Sequence, residues 1–436
     1  MGIELITFLM FGGMIVLLLL GLPLAFVTGI IAVVFGLGLF GTPSLLLVSS
    51  RIYSFMNEYV LVSVPMFILM ASLMERSGVA RDLFRAMHVW AGSLRGGLAV
   101  QTTIAATIMA AMTGIIGGEV VLLGLVALPQ MLRLGYDRKL AIGTICAGGS
   151  LGSMIPPSIV LVIYGLTVNV SIGDLFSAAV IPGLIMATMY ISYILIRCYI
   201  NPSLGPPASA EDRAIPLMEK LAMLKSIALP MLIAASVLGT IYTGVASVTE
   251  AAGMGVVGTA IAAALRRELS WSMVQGALVQ TMTACGILLW VSFGATAMIG
   301  VYNLAGGPAF IRNLMIGLPV APIVIIFIMM AILFVLGCLM DWIGICLLTM
   351  PIFVPIVKAL GYDPVWFGIL FCMNMQVSYL SPPFGPAAFY LKGVAPPDIS
   401  LNEIFASLWP FIGLQVVAIA LIIYFPGLAL WLPSLN

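Results

Sequence analysis

Hydrophobic residues run along this chain in long blocks, with charge confined to the gaps between them. Uncharged stretches at 5–50, 96–118, 140–173, 269–311, 313–340, 364–391 and 404–436 recur from one end to the other. Many exceed the ~20 residues that carry a helix across a bilayer. Backbone polar groups in lipid must be satisfied within the segment, so a row of such blocks predicts helices throughout. About ten to twelve hydrophobic helical elements are expected, in one membrane domain. The first block passes through Gly21-Leu22-Pro23 into a second without a small-residue cleavage site. That pattern predicts a retained helix, not a signal peptide.

Composition sharpens this picture. With 62% hydrophobic and 8% charged residues, the chain lies far from the roughly 25% charged content of soluble domains, so its outer surface must face lipid. A net charge of +1 gives no ground for nucleic-acid binding. Cys146, Cys198, Cys285, Cys338, Cys346 and Cys372 stand singly in apolar segments, without metal-type spacing, and read as small core residues. His88 has no second histidine to pair with and reads as an interfacial side chain.

The chain also matches itself. Shifted by 226 positions, Pro129 falls on Pro355, Leu134-Gly135-Tyr136-Asp137 on Leu360-Gly361-Tyr362-Asp363, Pro156-Pro157 on Pro382-Pro383, and Tyr164 on Tyr390. Upstream of each Gly-Tyr-Asp lies a long apolar segment with glycine near its middle, 96–132 and 313–357. Each is either one kinked span or a hairpin that returns to the side it entered from. Basic residues collect on the cytoplasmic side and so can arbitrate. With two hairpins, Arg51, Arg312 and Lys358 are the only basic residues left on the outer face, and the other fourteen share the inner one. With two single spans the split weakens to about eleven against six. Hairpins are therefore expected, and they give the matching halves opposite orientation.

The predicted plan is a first half over 1–198, with N-terminal spans, hairpin one (96–132), a broken helix (139–166) and a span near 175–197. A cytoplasmic linker over 199–225 follows. The second half, 226–436, has spans near 226–244, 248–265 and 280–300, a periplasmic arm, hairpin two (313–357), a broken helix (364–390) and a last span near 404–432. Trp409 and Trp431 read as interfacial anchors.

Each double proline removes backbone N–H groups, and so strips partners from the carbonyls four residues earlier. At the first break these are Gly152 and Ser153; at the second, Ser378 and Tyr379. Unpaired carbonyls cannot face lipid, but they can coordinate a hard cation, while the half-helix starts beyond the prolines offer N–H groups to an anion. Kinks satisfied by neighbouring helices are the alternative. Pairing each break with its own hairpin tip puts Thr113 and Gly117 at one cation site and Gly337 and Asp341 at the other. Charges within the membrane cost several kcal/mol unless partnered. Asp341 either balances a cation or stays near the outer mouth, Glu250 either acts directly or caps its helix, and Glu119 has no partner that sequence can name.

These segments resemble the large membrane subunit of TRAP (tripartite ATP-independent periplasmic) transporters over essentially the whole chain. The resemblance is carried by VPMFILMASLMERSG (64–78), GGLAV (96–100), MAAMTG (109–114), LPQMLRLGYDRKLAIGTICAGGSLGSMIPPS (128–158), VTEAAGMGVVG (248–258) and LGYDPVWFGILFCMNMQVSYLSPPFGPAAFYLKG (360–393). It implies an all-α integral membrane protein: an inverted-repeat, elevator-type transporter with two re-entrant helical hairpins and two broken helices. It implies sodium as the coupling ion and no other cofactor. Sodium ligands, many of them main-chain carbonyls, would fall near Thr113, Gly152, Ile155 and Pro157, and near Gly337, Ser378, Ser381 and Phe384. The tip Thr113-Gly114-Ile115-Ile116-Gly117-Gly118-Glu119 departs from the serine-rich tip of many relatives, and Ser381 stands where threonine is frequent.

The partners so implied are a small four-helix membrane subunit, expected as a separate chain, a periplasmic binding protein and a small organic acid. The setting implied is the bacterial inner membrane, crossed many times. Ser150, Ser153, Ser158, Asn374 and Gln376 are the candidate substrate contacts, and mere interhelical packing is their alternative. A stand-alone ion-coupled carboxylate carrier is the competing transporter reading. An enzyme would need a nucleophile with a base or a metal motif, and no His-Glu-x-x-His stands in the sequence. A channel would favour a continuous polar path over two blocked half-helix sites.

Overall fold

The computed structural model describes residues 2–88, 90, 94–114, 117–207 and 216–435, without the side chains of 80, 81, 85, 88, 217 and 219–227. Among these residues the regular structure is helical throughout. The helices are α1 (Ile3–Leu19), α2 (Leu24–Phe40), α3 (Pro43–Met56), α4 (Ser63–Arg76), α5 (Val79–His88), α6 (Gly97–Thr113), α7 (Gly118–Arg133), α8 (Arg138–Ser150), α9 (Ile159–Val168) and α10 (Ile172–Ile200). There follow α11 (Leu217–Tyr242), α12 (Val248–Leu265), α13 (Trp271–Leu304), α14 (Gly307–Ile316), α15 (Pro322–Gly337), α16 (Trp342–Ala359), α17 (Pro364–Leu380), α18 (Pro386–Lys392), α19 (Leu401–Tyr424) and α20 (Gly427–Leu430). Six helical stretches among the described residues are long and apolar enough to cross a membrane: Tyr59–Arg76, Ile172–Ile200, Val248–Leu265, Trp271–Leu304, Trp342–Ala359 and Leu401–Tyr424.

The repeated Leu-Gly-Tyr-Asp is a connector, and its chemistry explains its recurrence. Gly135 (φ +81°) and Gly361 (φ +83°) take the left-handed conformation just past α7 and α16, where a side chain would be strained. Two residues on, Asp137 accepts the Leu140 N–H at 2.9 Å and starts α8. Asp363 likewise accepts the Val365 N–H at 2.6 Å and starts α17. A helix stop and a helix start are thus written into four residues.

The first glycine-interrupted segment is a hairpin. Its two helices are separated by Gly114–Gly117, and the Leu98 N–H at the start of α6 reaches the Tyr136 hydroxyl beyond the end of α7 at 3.1 Å. In the second, α15 and α16 flank residues 338–341 and pack on each other. Both broken helices occur, α8 with α9 around Pro156-Pro157 and α17 with α18 around Pro382-Pro383.

Several boundaries differ from expectation, for physical reasons. The segment expected to link the halves over 199–225 is helical from Leu217 onward; residues 208–215 of it lie outside the described residues. The span near 280–300 is the middle of the 34-residue α13, about 51 Å long at 1.5 Å per residue. Hairpin two begins at Pro322, because a separate helix, α14, occupies Gly307–Ile316. The last span stops at Tyr424, before Phe425-Pro426. Trp409 and Trp431 are exposed, and so are Phe26, Val34, Met282 and Trp290 on α2 and α13, an apolar outer surface suited to lipid. Cys146, Cys198, Cys346 and Cys372 are buried, and no described cysteine forms a disulfide.

Candidate functional site

At the first break, the hairpin tip and the interrupted helix meet through glycine. A methyl group on Gly114 (φ +60°) would lie 2.0 Å from the Pro157 carbonyl oxygen, so the backbones touch there and no other residue fits. Thr113 ends α6; its hydroxyl lies 3.0 Å from the Met109 carbonyl and hydrogen-bonds the Glu119 carboxylate. Glu119 is 1% exposed. A methyl on Gly152 would lie 3.0 Å from its Oε1. Thr113 and Gly152 therefore meet through Glu119. Ile155 donates its N–H to the Leu151 carbonyl at 3.0 Å, and its side chain lies beside Gly183 of α10.

Gly117 (φ +114°) behaves differently. It packs on Tyr390, whose ring would be 3.1 Å from a methyl there. Tyr390 belongs to α18, the half-helix of the other break. Leu391 and Val394 likewise approach Gly124 of α7, each 2.8 Å from where a Cβ would stand. Of the two tip residues paired with the first break, Thr113 lies beside it, next to the contact of Gly114 with Pro157, whereas Gly117 faces the opposite repeat. The half-helices are exchanged: α9 packs on α16 of hairpin two, and α18 on α7 of hairpin one.

At the second break the contact is with a side chain. A methyl on Gly337 would lie 2.0 Å from Ser378 Oγ and 2.4 Å from its Cβ. Ser378 is buried and donates to the Asn374 carbonyl at 3.2 Å. Ser381, also buried, donates to the Val377 carbonyl at 2.8 Å. Asp341 is the N-cap of α16, accepting the Ile343 N–H at 3.2 Å. Phe384 is partly exposed, at the rim of the break.

Two of the four carbonyls expected to be bare are engaged. Ser153 O accepts from the Ser158 hydroxyl, with the Cys372 thiol 2.9 Å away. Ser378 O accepts the Ser381 N–H at 3.2 Å. A carbonyl has two lone pairs, so Ser378 O, with its one donor from Ser381, stays open to coordination, whereas Ser153 O already takes two donors. Each break has restored part of its bonding with nearby serines, which a count of missing prolyl N–H groups does not foresee.

The five candidate substrate contacts are all buried, and they form an internal lattice. Ser150 Oγ donates to Ala147 O at 2.7 Å and Ser153 Oγ to Ser150 O at 3.0 Å. Gln376 Nε2 donates to Ser150 O at 3.1 Å, and Asn374 Nδ2 to Met330 O at 2.8 Å. Gln376 and Ser150 are 226 positions apart, the offset of the repeat, so the two halves touch through equivalent residues where the broken helices cross. Because the amide nitrogens face carbonyls, the buried atoms without a hydrogen-bond partner are the oxygens, Asn374 Oδ1 and Gln376 Oε1. Those two oxygens are acceptors, which suit a cation or a donor, while the three serine hydroxyls can donate as well as accept. These residues brace the crossing.

Glu250 has a plain structural role. It forms a capping box at the start of α12, accepting from the Ser247 N–H and hydroxyl at 2.8 Å each. The sequence reading missed Gln415 in the apolar α19, which reaches Tyr190 Oη at 2.8 Å and Ser150 Oγ at 3.4 Å. A lone amide in an apolar span was the available signal. It also missed Tyr390, for which only the match to Tyr164 pointed the way.

Two hairpins and two interrupted helices, packed among apolar helices, are an arrangement that secondary membrane carriers use. The solved Alcanivorax borkumensis YdaH transporter has the same fold, with a TM-score of 0.67 at 14% identity over 97% of this chain and 98% of that one. The model of the DctM component of the tripartite ATP-independent periplasmic transporters matches residues 11–428, and the chain belongs to that family. The C4-dicarboxylate TRAP transporter large permease protein DctM of Vibrio cholerae is 30% identical over all of this chain and 98% of its own length. The ectoine/5-hydroxyectoine TRAP transporter large permease protein UehC of Ruegeria pomeroyi is 31% identical over 86% of each chain. The protein is thus a TRAP transporter large permease, a multi-pass protein of the inner membrane.

Proposed function

We propose that this permease carries a small organic acid inward, driven by the sodium gradient, by an elevator movement of the hairpins and broken helices against the remaining helices. The observation that carries the reading is the close contact of Gly337 with Ser378, matched by that of Gly114 with Pro157. At both places a hairpin tip closes on a proline-interrupted backbone, the arrangement in which main-chain oxygens replace the hydration shell of a hard cation. The sodium ligands of this reading are Thr113, Gly117, Gly152, Ile155 and Pro157 at the first tip, and Gly337, Asp341, Ser378, Ser381 and Phe384 at the second.

The anion is held chiefly by N–H groups at the half-helix starts. At α9, Ser158 caps only the Leu161 N–H, at 3.5 Å, leaving earlier N–H groups of that turn for an anion. The inverted orientation of the halves supports alternating access. A C4-dicarboxylate is the first substrate to test, since the Vibrio cholerae relative bears that name. The partners are a small membrane subunit and a periplasmic binding protein that delivers the acid.

The test is uptake of labelled succinate and a panel of other small acids into proteoliposomes containing this chain and its small partner. Uptake that needs both the binding protein and an inward sodium gradient is the expected result. Sodium-driven uptake without the binding protein would identify a stand-alone carrier, and uptake indifferent to sodium would remove the coupling.

A further inference from the structure

Glu119 is the only acid buried in the described interior. Its Oε1 takes the Thr113 hydroxyl, whereas Oε2 is buried without a hydrogen-bond partner. An uncompensated carboxylate oxygen in that position costs several kcal/mol. The side chain lines a cavity of about 40 Å³, room for more than one water-sized body. Across it stand Glu75 of α4 and Gln280 of α13. The Glu75 carboxylate oxygens lie 3.2 and 3.3 Å from where a Cβ on Gly118 would stand, next to Glu119 in the chain.

Charge and donor type decide what the cavity takes. Gln280 joins Glu75 to the Arg76 guanidinium: its Nε2 donates to Glu75 Oε2 at 3.3 Å, and its Oε1 accepts from Arg76 Nη2 at 3.0 Å. Among the described side chains, two carboxyl groups stand here against one guanidinium. Two carboxyls, a hydroxyl and an amide put oxygens on the cavity wall, each able to accept beyond its present partner and Glu119 Oε2 wholly without one, the set that selects a hard cation. Methionine and leucine make up much of the remaining wall, which keeps bulk water from solvating the acid.

We propose that Glu119, Thr113, Glu75 and Gln280 hold one monovalent hard cation of sodium's class through side-chain oxygens, at a site that adjoins the first break and shares Thr113 with it but takes no main-chain carbonyl. Thr113 and Glu119 belong to the tip of hairpin one, while Glu75 and Gln280 come from helices outside both hairpins. The cation therefore ties that tip to α4 and α13. The existence of the site does not depend on the ion-coupled reading; its role in transport rests on it.

The experiment is a sodium titration of the purified complex with its small subunit in lipid nanodiscs, choline holding ionic strength constant, followed by calorimetry. In Glu119→Gln the fitted stoichiometry should fall by about one ion, or one class of site should weaken by about tenfold or more, with an unchanged melting temperature in choline. Wild-type stoichiometry and affinity in Glu119→Gln overturn the proposal, as does a heat that follows pH and not sodium. If Glu119→Gln cannot be purified, Glu75→Gln on the partly exposed wall reads the same loss, and its unchanged affinity overturns the proposal equally. Normal sodium-driven uptake alongside unchanged binding in the variants would sink this site and leave the coupling standing. Glu119-dependent binding without sodium-driven uptake would do the reverse.

Discussion

The two breaks are built from the same repeat, yet they solve the same problem with different groups. At the second, contact is made by glycine against serine: Gly337 leaves room for Ser378, and the nearest acid, Asp341, is engaged in capping α16. At the first, backbone meets backbone at Gly114 and Pro157, and a buried carboxylate, Glu119, fills the space beside Gly152. Proline, glycine and the Gly-Tyr-Asp connector set the shared backbone. What the halves do not share is the placing of their acids: Glu119 lies buried within the first tip, whereas Asp341 at the second caps a helix.

Substitutions can break this comparison or sharpen it. The largest effect is expected at Gly337. A methyl 2.0 Å from Ser378 Oγ forces the tip away at a cost of about 1–3 kcal/mol, and Gly337→Ala should lower the initial uptake rate by up to about a hundredfold. Adding Ser378→Gly removes the obstructing atoms and should restore much of that rate; no rescue would mean that the contact is not the cause. Asp341 comes next. Asp341→Ala removes the cap, worth about 1 kcal/mol, and should lower the melting temperature while weakening sodium dependence. Asp341→Asn keeps a capping oxygen, so a normal melting temperature with sodium dependence still weak would assign the second effect to charge.

Ser381→Ala is a smaller perturbation. It removes one hydroxyl bonded to its own helix, about 1 kcal/mol at most, and should raise the half-saturating sodium concentration about threefold. Wild-type sodium dependence in both Ser381→Ala and Asp341→Ala would count against a cation at the second tip. Glu250→Gln, which retains oxygen for the Ser247 cap, should leave uptake and its sodium dependence unchanged. A marked loss would return Glu250 to the transport machinery.

Sequence carried the local features of the fold well and the distant ones poorly. Asp137 and Asp363 cap helices within three residues of themselves, and Pro156 and Pro382 interrupt helices where they stand. Such features need no tertiary partner to be read. The exchange of half-helices was invisible, because Gly117 and Tyr390 carry no mark of each other. Glu119 could be singled out as a charge in an apolar block, but its neighbours Glu75 and Gln280 stand far off in sequence, across a helix interface. The candidate substrate residues were recognisable as polar and interior. Only the directions of their amides reveal that they face carbonyls and one another.

The most direct measurement is a high-resolution electron cryo-microscopy map of the complex with its small subunit in sodium, compared with one in choline. The account predicts sodium-dependent density at both hairpin tips, within coordinating distance of main-chain oxygens beside Pro157 and Ser378. Identical maps in the two salts, with both tips closed on their breaks and no density between, would contradict it.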